Sequence, residues 1–117
     1  MNALMVAKEF SPFLGGRYRR DGEFSGEEFR DDVLEPRART AIQKREPLRI
    51  NFDGVAGMPT SFVEEAFGGL ARMHPDWSVG ELSNYVTIEA PRSPLLWPFI
   101  ELATRFMLAA AKNRSRD

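Results

Sequence analysis

The sequence has 117 residues, of which 43% are hydrophobic and 28% are charged. This is the composition of one globular domain, and it excludes an intrinsically disordered chain. Sixteen Lys and Arg residues balance seventeen Asp and Glu residues, so the net charge of -1 argues against a nucleic-acid partner and against an anionic membrane. The absence of cysteine excludes disulfides, thiolate nucleophiles and cysteine-based zinc sites, and it fits a reducing, cytoplasmic compartment.

Two apolar stretches are candidates for targeting or membrane insertion. The N-terminal stretch has no basic start and reaches Glu9 after a short apolar run, so we expect no signal peptide. Residues 95–111 are apolar but contain Glu101 and Arg105, so we expect that they do not span a membrane. The sequence therefore predicts a cytoplasmic protein without a membrane partner.

The first elements along the chain are predicted to be a β-hairpin. Residues 3–10 read as a strand, and proline and paired glycines in residues 11–16 predict a turn. Residues 17–20 would form the second strand, which the turn signal of Asp21 and Gly22 ends.

A long helix follows. Ser25 and Glu28 have the spacing of a capping box, and apolar residues recur at helical spacing as far as Ile42. These signals predict a helix that runs to about Lys44, with a kink or break near Glu35 because a proline follows.

The middle of the chain predicts a strand and a second helix. Residues 47–53 alternate apolar and polar side chains, which indicates a strand that Gly54 ends. Its core face is predicted to consist of Leu48, Ile50 and Phe52. Ser61 and Glu64 repeat the capping-box spacing at the start of the second helix.

The last part predicts a loop, a strand and a third helix. Residues 74–82 read as a loop with about one helical turn, and residues 84–89 alternate as a strand that Pro91 closes. Ser93 and Pro94 begin an apolar helix that runs to about Lys112.

The element order β-β-α-β-α-β-α predicts a single α/β domain over residues 1–112. We expect a mostly parallel or mixed four-stranded sheet with an N-terminal hairpin and about three helices. Residues 113–117 are expected to be a frayed tail.

The residues argue against an enzyme. His74 is the only histidine, and without cysteine it cannot complete a usual zinc site or an evident Ser-His-Asp relay. A small enzyme would have to combine His74 with Asp53, Glu64 or Glu65, and no nucleotide-binding loop accompanies them. We therefore predict no catalytic residue, no metal and no cofactor.

Two hydroxyls at a helix start are the most informative feature. Thr60 and Ser61 follow the loop after a strand, where the N–H groups and the dipole of a helix favour a negative charge. Either the hydroxyls cap the helix, or one of them accepts a phosphate.

The last helix is too apolar for one buried stripe, which predicts either deep burial or a contact between subunits. The residues expected at a homodimer surface are Trp97, Phe99, Ile100 and Phe106.

Several stretches carry a resemblance to a known family. They are residues 15–30 (GGRYRRDGEFSGEEFR), residues 53–55 (DGV) and residues 61–70 (SFVEEAFGGL). With them the chain resembles the bacterial STAS-like family of unknown function and is similar, more distantly, to the STAS fold of anti-sigma-factor antagonists.

This resemblance implies a STAS-like fold and a non-catalytic regulatory role in signalling. In the antagonists, a partner with a histidine-kinase-type ATPase fold phosphorylates the first hydroxyl of an Asp-Ser-Ser-Gly motif, and phosphorylation releases the complex. Thr60 would be the acceptor, with Ser61 beside it, whereas Pro59 replaces the Asp and Phe62 replaces the Gly.

The residues implied in partner binding are Asp53, Gly54, Val55, Met58, Pro59, Phe62, Glu64 and Glu65. The alternative function is a structural or assembly module that forms a homodimer through its apolar C-terminal helix.

Overall fold

In the computed structural model, which describes residues 2–114, three short strands form one parallel sheet in the order β1-β2-β3. The strands are β1 (Asn2–Met5), β2 (Leu48–Asn51) and β3 (Val86–Glu89). In register, Leu4 lies opposite Ile50, which in turn lies opposite Ile88. The predicted α/β class is confirmed.

Five helical segments, rather than the predicted three, accompany the strands in the described residues. Helix α1 is Val6–Glu9, and a 3-10 turn follows at Arg19–Asp21. The first long helix (residues 26–44) consists of α2 (Gly26–Phe29), a π-helical turn (Arg30–Leu34) and α3 (Glu35–Lys44). The second long helix (residues 60–73) consists of α4 (Thr60–Val63), a π-helical turn (Glu64–Gly68) and α5 (Gly69–Met73). Helix α6 is Val79–Tyr85, and α7 (Trp97–Arg114) follows a 3-10 turn at Pro94–Leu96.

The prediction of a hairpin, and with it a fourth strand, is wrong. Strand β1 ends at Met5, where α1 begins, and residues 17–20 form no strand. The segment after α1 instead closes on itself, because the Gly15 N–H donates to the Phe24 carbonyl at 2.8 Å. A Cβ on Gly15 would collide with the carbonyl of Glu23, so glycine permits this close approach.

The same segment completes the start of the first long helix. The N–H groups of Gly26 and Glu27 donate to the carbonyls of Gly16 and Arg17 at 2.9 and 3.0 Å. The predicted cap is present, because Ser25 Oγ accepts from the next N–H of the turn at 3.0 Å. The carbonyls of Gly16 and Arg17 therefore accept from a helix terminus instead of pairing in a strand, and the first N–H groups of that helix all have acceptors.

The expected break in the first long helix takes the form of the π-helical turn. It lies directly before α3, whose first turn contains Pro36. Pro36 has no N–H to donate, and the π-helical turn before it changes the hydrogen-bond register of the helix so that the proline is accommodated. The helix ends at Lys44 as predicted, and Arg45 adopts the left-handed conformation with a φ of 56°.

The capping box at Ser61 is wrong, and a real one forms at Ser78. The second long helix begins one residue before Ser61, because Pro59 occupies the cap position with an extended backbone. In the region predicted as a loop, Ser78 Oγ accepts from the Glu81 N–H, and Glu81 Oε1 accepts from the Ser78 N–H, both at 3.0 Å. The Ser-x-x-Glu spacing therefore caps a helix at Ser78, where no proline occupies the cap position, and α6 begins there.

The sheet is covered by helices on one face only. Leu4, Ile50 and Ile88 are buried on the covered face, whereas the alternate row of Ala3, Arg49 and Thr87 is exposed. An ion pair of 2.9 Å between Arg49 and Glu89 crosses the open face. Most parallel sheets are buried on both faces. The alternation of buried and exposed residues in β2 and β3 therefore indicates an unusual arrangement of two layers, one of strands and one of helices.

Phe29 is the centre of the core. Its ring centroid lies 5.1 Å from that of Phe10, 5.7 Å from that of Phe62, 6.2 Å from that of Phe52 and 6.3 Å from that of Phe67. These rings meet at the tilted and edge-on angles that aromatic pairs prefer. One side chain therefore joins the first long helix to the residue that directly follows β2 and to the second long helix.

The outer edge of β1 is closed by side chains. Arg37 Nη2 donates to the Ala3 carbonyl at 2.9 Å, and the Met5 N–H donates to Glu9 Oε2 at 2.6 Å. Arg37 and Glu9 are also joined to each other at 3.1 Å. The pair bonds the strand at the positions that a neighbouring strand would use.

Helix α7 belongs to the domain and is also unusually apolar. By length and composition alone, the segment Pro94–Asn113 is long and apolar enough to cross a membrane, and 22% of it is buried. This is a weak indication, because core helices meet the same criterion. The helix continues to Arg114, past the predicted start of the frayed tail, and residues 115–117 lie outside the described residues.

The approach of the two long helices depends on Gly26, and this can be tested. A Cβ at Gly26 would lie 2.5 Å from the Phe62 carbonyl oxygen, so we expect Gly26→Ala to lower the free energy of unfolding by about 1–3 kcal/mol. The matched control is Gly80→Ala in α6, where the nearest atom is 3.8 Å away and the change should stabilise by about 0.5–1 kcal/mol. Urea denaturation measures both, and equal midpoints for the two variants would contradict the close approach.

Candidate functional site

The loops that follow the three strands meet at one end of the molecule. Parallel strands bring their carboxyl ends to the same edge, which is where open α/β sheets bind ligands. The loop that follows β1 and α1 is bonded to the loop that follows β2, because the Ala56 N–H donates to the Pro12 carbonyl at 2.8 Å. These loops are therefore one connected surface.

Asp53 bonds the loop that follows β2 to the loop that follows β3. Its Oδ1 accepts from the Arg92 N–H at 3.1 Å and from Ser93 Oγ at 2.7 Å, while its own N–H donates to Asn51 Oδ1 at 2.7 Å. Gly54, which follows it, has a φ of 90° that favours glycine. The structure thus gives Asp53, predicted as a partner-binding residue, a role in holding the loops of the free chain.

An uncharged groove lies between these loops and α7. It encloses about 420 Å³, and we call it the carboxyl-end groove. Its lining consists of Phe13, Leu14, Ala56, Gly57, Met58, Pro59, Thr60 and Phe99. Phe13 is 70% exposed and Phe99 is 37% exposed, so two aromatic side chains stand open to solvent at its rim. Large apolar groups exposed together mark an interaction surface.

Thr60 belongs to the wall of this groove, and Ser61 does not. Thr60 is exposed, whereas Ser61 is half-buried at the next position. Val63 is the first residue of the second long helix whose N–H is bonded, to the Pro59 carbonyl at 3.1 Å. Among the described residues, the N–H groups of Thr60, Ser61 and Phe62 have no partner. This helix start is open, in contrast to the start of the first long helix.

The other residues predicted in the loop divide by burial. Val55, Met58 and Phe62 are 7%, 3% and 0% exposed, so they pack into the core and support the loop from below. Gly54 and Pro59 are exposed. The loop can therefore present its backbone and Pro59 to a partner, while its larger side chains hold its shape.

Glu64 and Glu65 belong to a cluster of charges. Glu64 lies 2.5 Å from Arg17 and 2.7 Å from Arg72, and Glu65 lies 2.5 Å from Arg30 and 3.1 Å from Arg17. The hydrogen bond from Arg72, together with that from Arg17, holds the pKa of Glu64 below its ordinary value. Both carboxylates are thus neutralised by arginines of the two long helices and by Arg17, which lies in the segment between α1 and the first long helix.

His74 is engaged away from these carboxylates. Its Nε2 lies 2.7 Å from Glu35 Oε2, and its ring stacks on Trp77 with centroids 3.6 Å apart. In residues 2–114, no group of three or more His, Asp or Glu side chains is arranged to hold a metal ion. The combination of His74 with Asp53, Glu64 or Glu65 that an enzyme would need is not assembled.

The four residues predicted at a dimer surface do not share one face. Trp97 is 53% exposed and donates from Nε1 to the Ala90 carbonyl at 2.7 Å, whereas Phe99 faces the groove. Ile100 and Phe106 are partly buried against the core.

Sequence reasoning missed Phe13 and Leu14 as groove residues. The sequence signal that could have found them is the presence of two large apolar side chains within the turn-rich segment Ser-Pro-Phe-Leu-Gly-Gly, because a turn does not itself need large apolar residues.

The acid stability of the fold is expected to depend on Glu64. A carboxyl whose folded-state pKa is lowered stabilises the fold fully above its unfolded-state pKa, about 4.3, and loses that contribution as the pH falls through the folded-state value. We therefore expect the free energy of unfolding to fall below about pH 5 in wild type and to fall less steeply in Glu64→Gln. Urea titrations from neutral pH to acid measure the slopes. The control is Glu46→Gln, an exposed residue without an ion pair in the described part, and a Glu64→Gln slope equal to wild type would contradict the expectation.

The comparison with known proteins gives one match. A family model described as a STAS-like domain of unknown function (DUF4325) matches residues 25–87. No curated protein and no solved structure matches the chain. The matched stretch runs from the cap of the first long helix through β2 and the groove loop into β3, and it covers more than half of the sequence. The chain therefore belongs to the family of STAS-like domains of unknown function.

Proposed function

We propose that this chain is a non-catalytic regulatory module that binds a protein partner in the carboxyl-end groove, and that phosphorylation of Thr60 controls the contact. The observation that carries the proposal is the position of Thr60, an exposed hydroxyl in the wall of an apolar groove and at an open helix start. The resemblance to anti-sigma-factor antagonists suggests a histidine-kinase-type ATPase as both partner and kinase.

The groove has the chemistry of a protein-binding surface. Its lining carries no charged side chain, and its exposed aromatic residues, Phe13 and Phe99, come from different elements. Aromatic side chains are common among the residues that dominate binding energy at interfaces. The loop contacts that Asp53 and Ala56 make hold this surface in shape before a partner arrives, which lowers the ordering cost of binding.

A phosphate on Thr60 would change this surface without disturbing the fold. It adds about -1.5 to -2 charges at neutral pH, and the unpaired N–H groups of the helix start would stabilise that charge. The same charge would lie beside Phe13 and Phe99, where an apolar partner surface would have to displace its water. The two effects together favour a stable phosphorylated chain that has released its partner.

The surroundings of the candidate acid–base groups support a role without catalysis. Glu64 and Glu65 are paired with arginines, and His74 is paired with Glu35. A general acid or base has to reach a substrate, and these groups are occupied by partners within the chain.

Phosphorylation is tested with single-site variants. We expect wild-type protein from the source cell to show a mass increase of about 80 Da, and Thr60→Ala to lose it while Ser61→Ala keeps it. Thr60→Glu should recover at least about tenfold less partner than wild type in a pull-down, because it places a charge in the groove. Mass spectrometry of the intact chain and of the captured proteins gives both results.

The matched control is Thr87, an exposed hydroxyl on the open face of the sheet. Thr87→Ala and Thr87→Glu should behave as wild type. Unchanged partner recovery by the Thr60→Ala/Ser61→Ala double variant and by Thr60→Glu would show that neither hydroxyl regulates the contact.

The groove itself is tested through Phe13. Because this side chain is 70% exposed, Phe13→Ser should keep the thermal unfolding midpoint of wild type, while partner recovery falls about tenfold. The control is Met73→Ser, which removes an apolar side chain, 47% exposed, outside the groove. Equal recovery by the two variants would place the partner on another surface.

A further inference from the structure

The segment between α1 and the first long helix contacts the second long helix at two neighbouring levels. At the first level, Leu14 and Thr60 line the same groove. One helical turn further on, Glu64 Oε1 accepts from Arg17 Nη1 at 2.5 Å. The Glu64 N–H bonds the Thr60 carbonyl, so the two side chains lie on one face of the helix with their Cβ atoms about 5–6 Å apart. Arg17 therefore lies on the side of the helix to which Thr60 belongs.

Arg17 uses only one of its three guanidinium nitrogens in the charge cluster. Its Nη1 donates to Glu64 at 2.5 Å and to Glu65 at 3.1 Å. Within residues 2–114, Nε and Nη2 of Arg17 have no hydrogen-bond acceptor. These two nitrogens form one edge of the guanidinium, and such an edge binds two oxygens of a phosphate at once. The side chain is 31% exposed, so part of it is open to solvent.

The other arginines of the cluster are more fully used. Arg30 bonds through Nε and Nη1 and is only 11% exposed, and Arg72 bonds Glu64 through both of its terminal nitrogens. Arg17 can accept a further anion without releasing either carboxylate. Its backbone is also held, because its carbonyl accepts from the Glu27 N–H at 3.0 Å. The side chain is thus positioned, charged and only partly occupied.

We propose that Arg17 binds the phosphate of phosphorylated Thr60 through its Nε and Nη2 edge, an inference that rests on the phosphorylation proposed above. Without a cation, the phosphate would stand one turn from the Glu64 carboxylate, and like charges at this spacing repel each other. Arg17 already bonds Glu64 and offsets that repulsion. A phosphate held in this way stays at the wall of the carboxyl-end groove.

This contact also distinguishes the two hydroxyls at the helix start. Ser61 lies about 100° further around the helix than Thr60, and it is half-buried. A phosphate on Ser61 would therefore point away from the face that carries Glu64 and Arg17. The arginine makes Thr60 the position at which a phosphate is stabilised within the chain.

The contact is tested in the full chain with phosphothreonine incorporated at position 60 during synthesis, so that no kinase is needed. Phosphorus NMR follows the second ionisation of the phosphate, which ordinarily occurs at about pH 6. A bonded arginine favours the doubly charged form, so the midpoint in Arg17→Gln should lie at least about 0.5 pH unit above that of the unsubstituted phosphoprotein. Arg17→Lys keeps the charge but lacks the two-nitrogen edge, and it should show at least about half of this rise.

The matched control is Arg72→Gln, which removes the other arginine bonded to Glu64. Arg72 Nη1 lies beside Gly68, on the side of Glu64 away from Thr60, so this variant should titrate within about 0.2 pH unit of the unsubstituted phosphoprotein. Circular dichroism verifies that each variant is folded.

Equal midpoints in the unsubstituted phosphoprotein and in Arg17→Gln would overturn the contact, and an unchanged midpoint in Arg17→Lys would overturn its bidentate geometry. These outcomes are separate from the test of the proposed function. A chain that is never phosphorylated in the cell would refute that function and leave the titrations unchanged. Equal midpoints would refute the role of Arg17 and leave partner release by Thr60→Glu unaffected.

Discussion

The structure depends on the contact of Phe29 with four other phenylalanine rings. Phe29 lies on the first long helix, and its neighbours come from the segment after α1, from the residue that directly follows β2 and from the second long helix. These elements flank the loops at the carboxyl end of the sheet. The packing of one buried ring therefore determines where Phe13, Thr60 and the loop between β2 and the second long helix can lie.

The family match covers most of the core but only part of the groove. The matched residues 25–87 contain the two long helices, β2 and one wall of the groove. Phe13, Leu14 and Phe99, which form much of the rest of the groove, lie outside the match. The matched stretch thus contains Thr60, whereas the aromatic side chains beside it come from segments before and after the match.

Local sequence signals predicted the elements whose residues interact with near neighbours. The Ser25 cap, the end of the first long helix at Lys44 and the alternation of β2 all have local causes, and all are present. The predicted hairpin failed because the carbonyls of Gly16 and Arg17 bond to the start of the first long helix, which no local pattern reports. At the site, the sequence pointed to Thr60 through its position after a strand, but it could not show that Phe13 and Phe99 meet beside it. Their proximity depends on the tertiary packing of three loops.

The pairing of Glu9 with Arg37 on the edge of β1 has a consequence for the behaviour of the chain in a crowded cell. An exposed strand edge is a template on which any extended peptide can add, and such addition leads to aggregation. In this protein, one guanidinium and one carboxylate already occupy the outward-facing carbonyl of Ala3 and the N–H of Met5. A foreign strand would have to break an ion pair before it gained its first hydrogen bond. The outer edge of β1 is therefore closed to pairing that depends on backbone groups alone, and a strand could add there only by displacing both side chains.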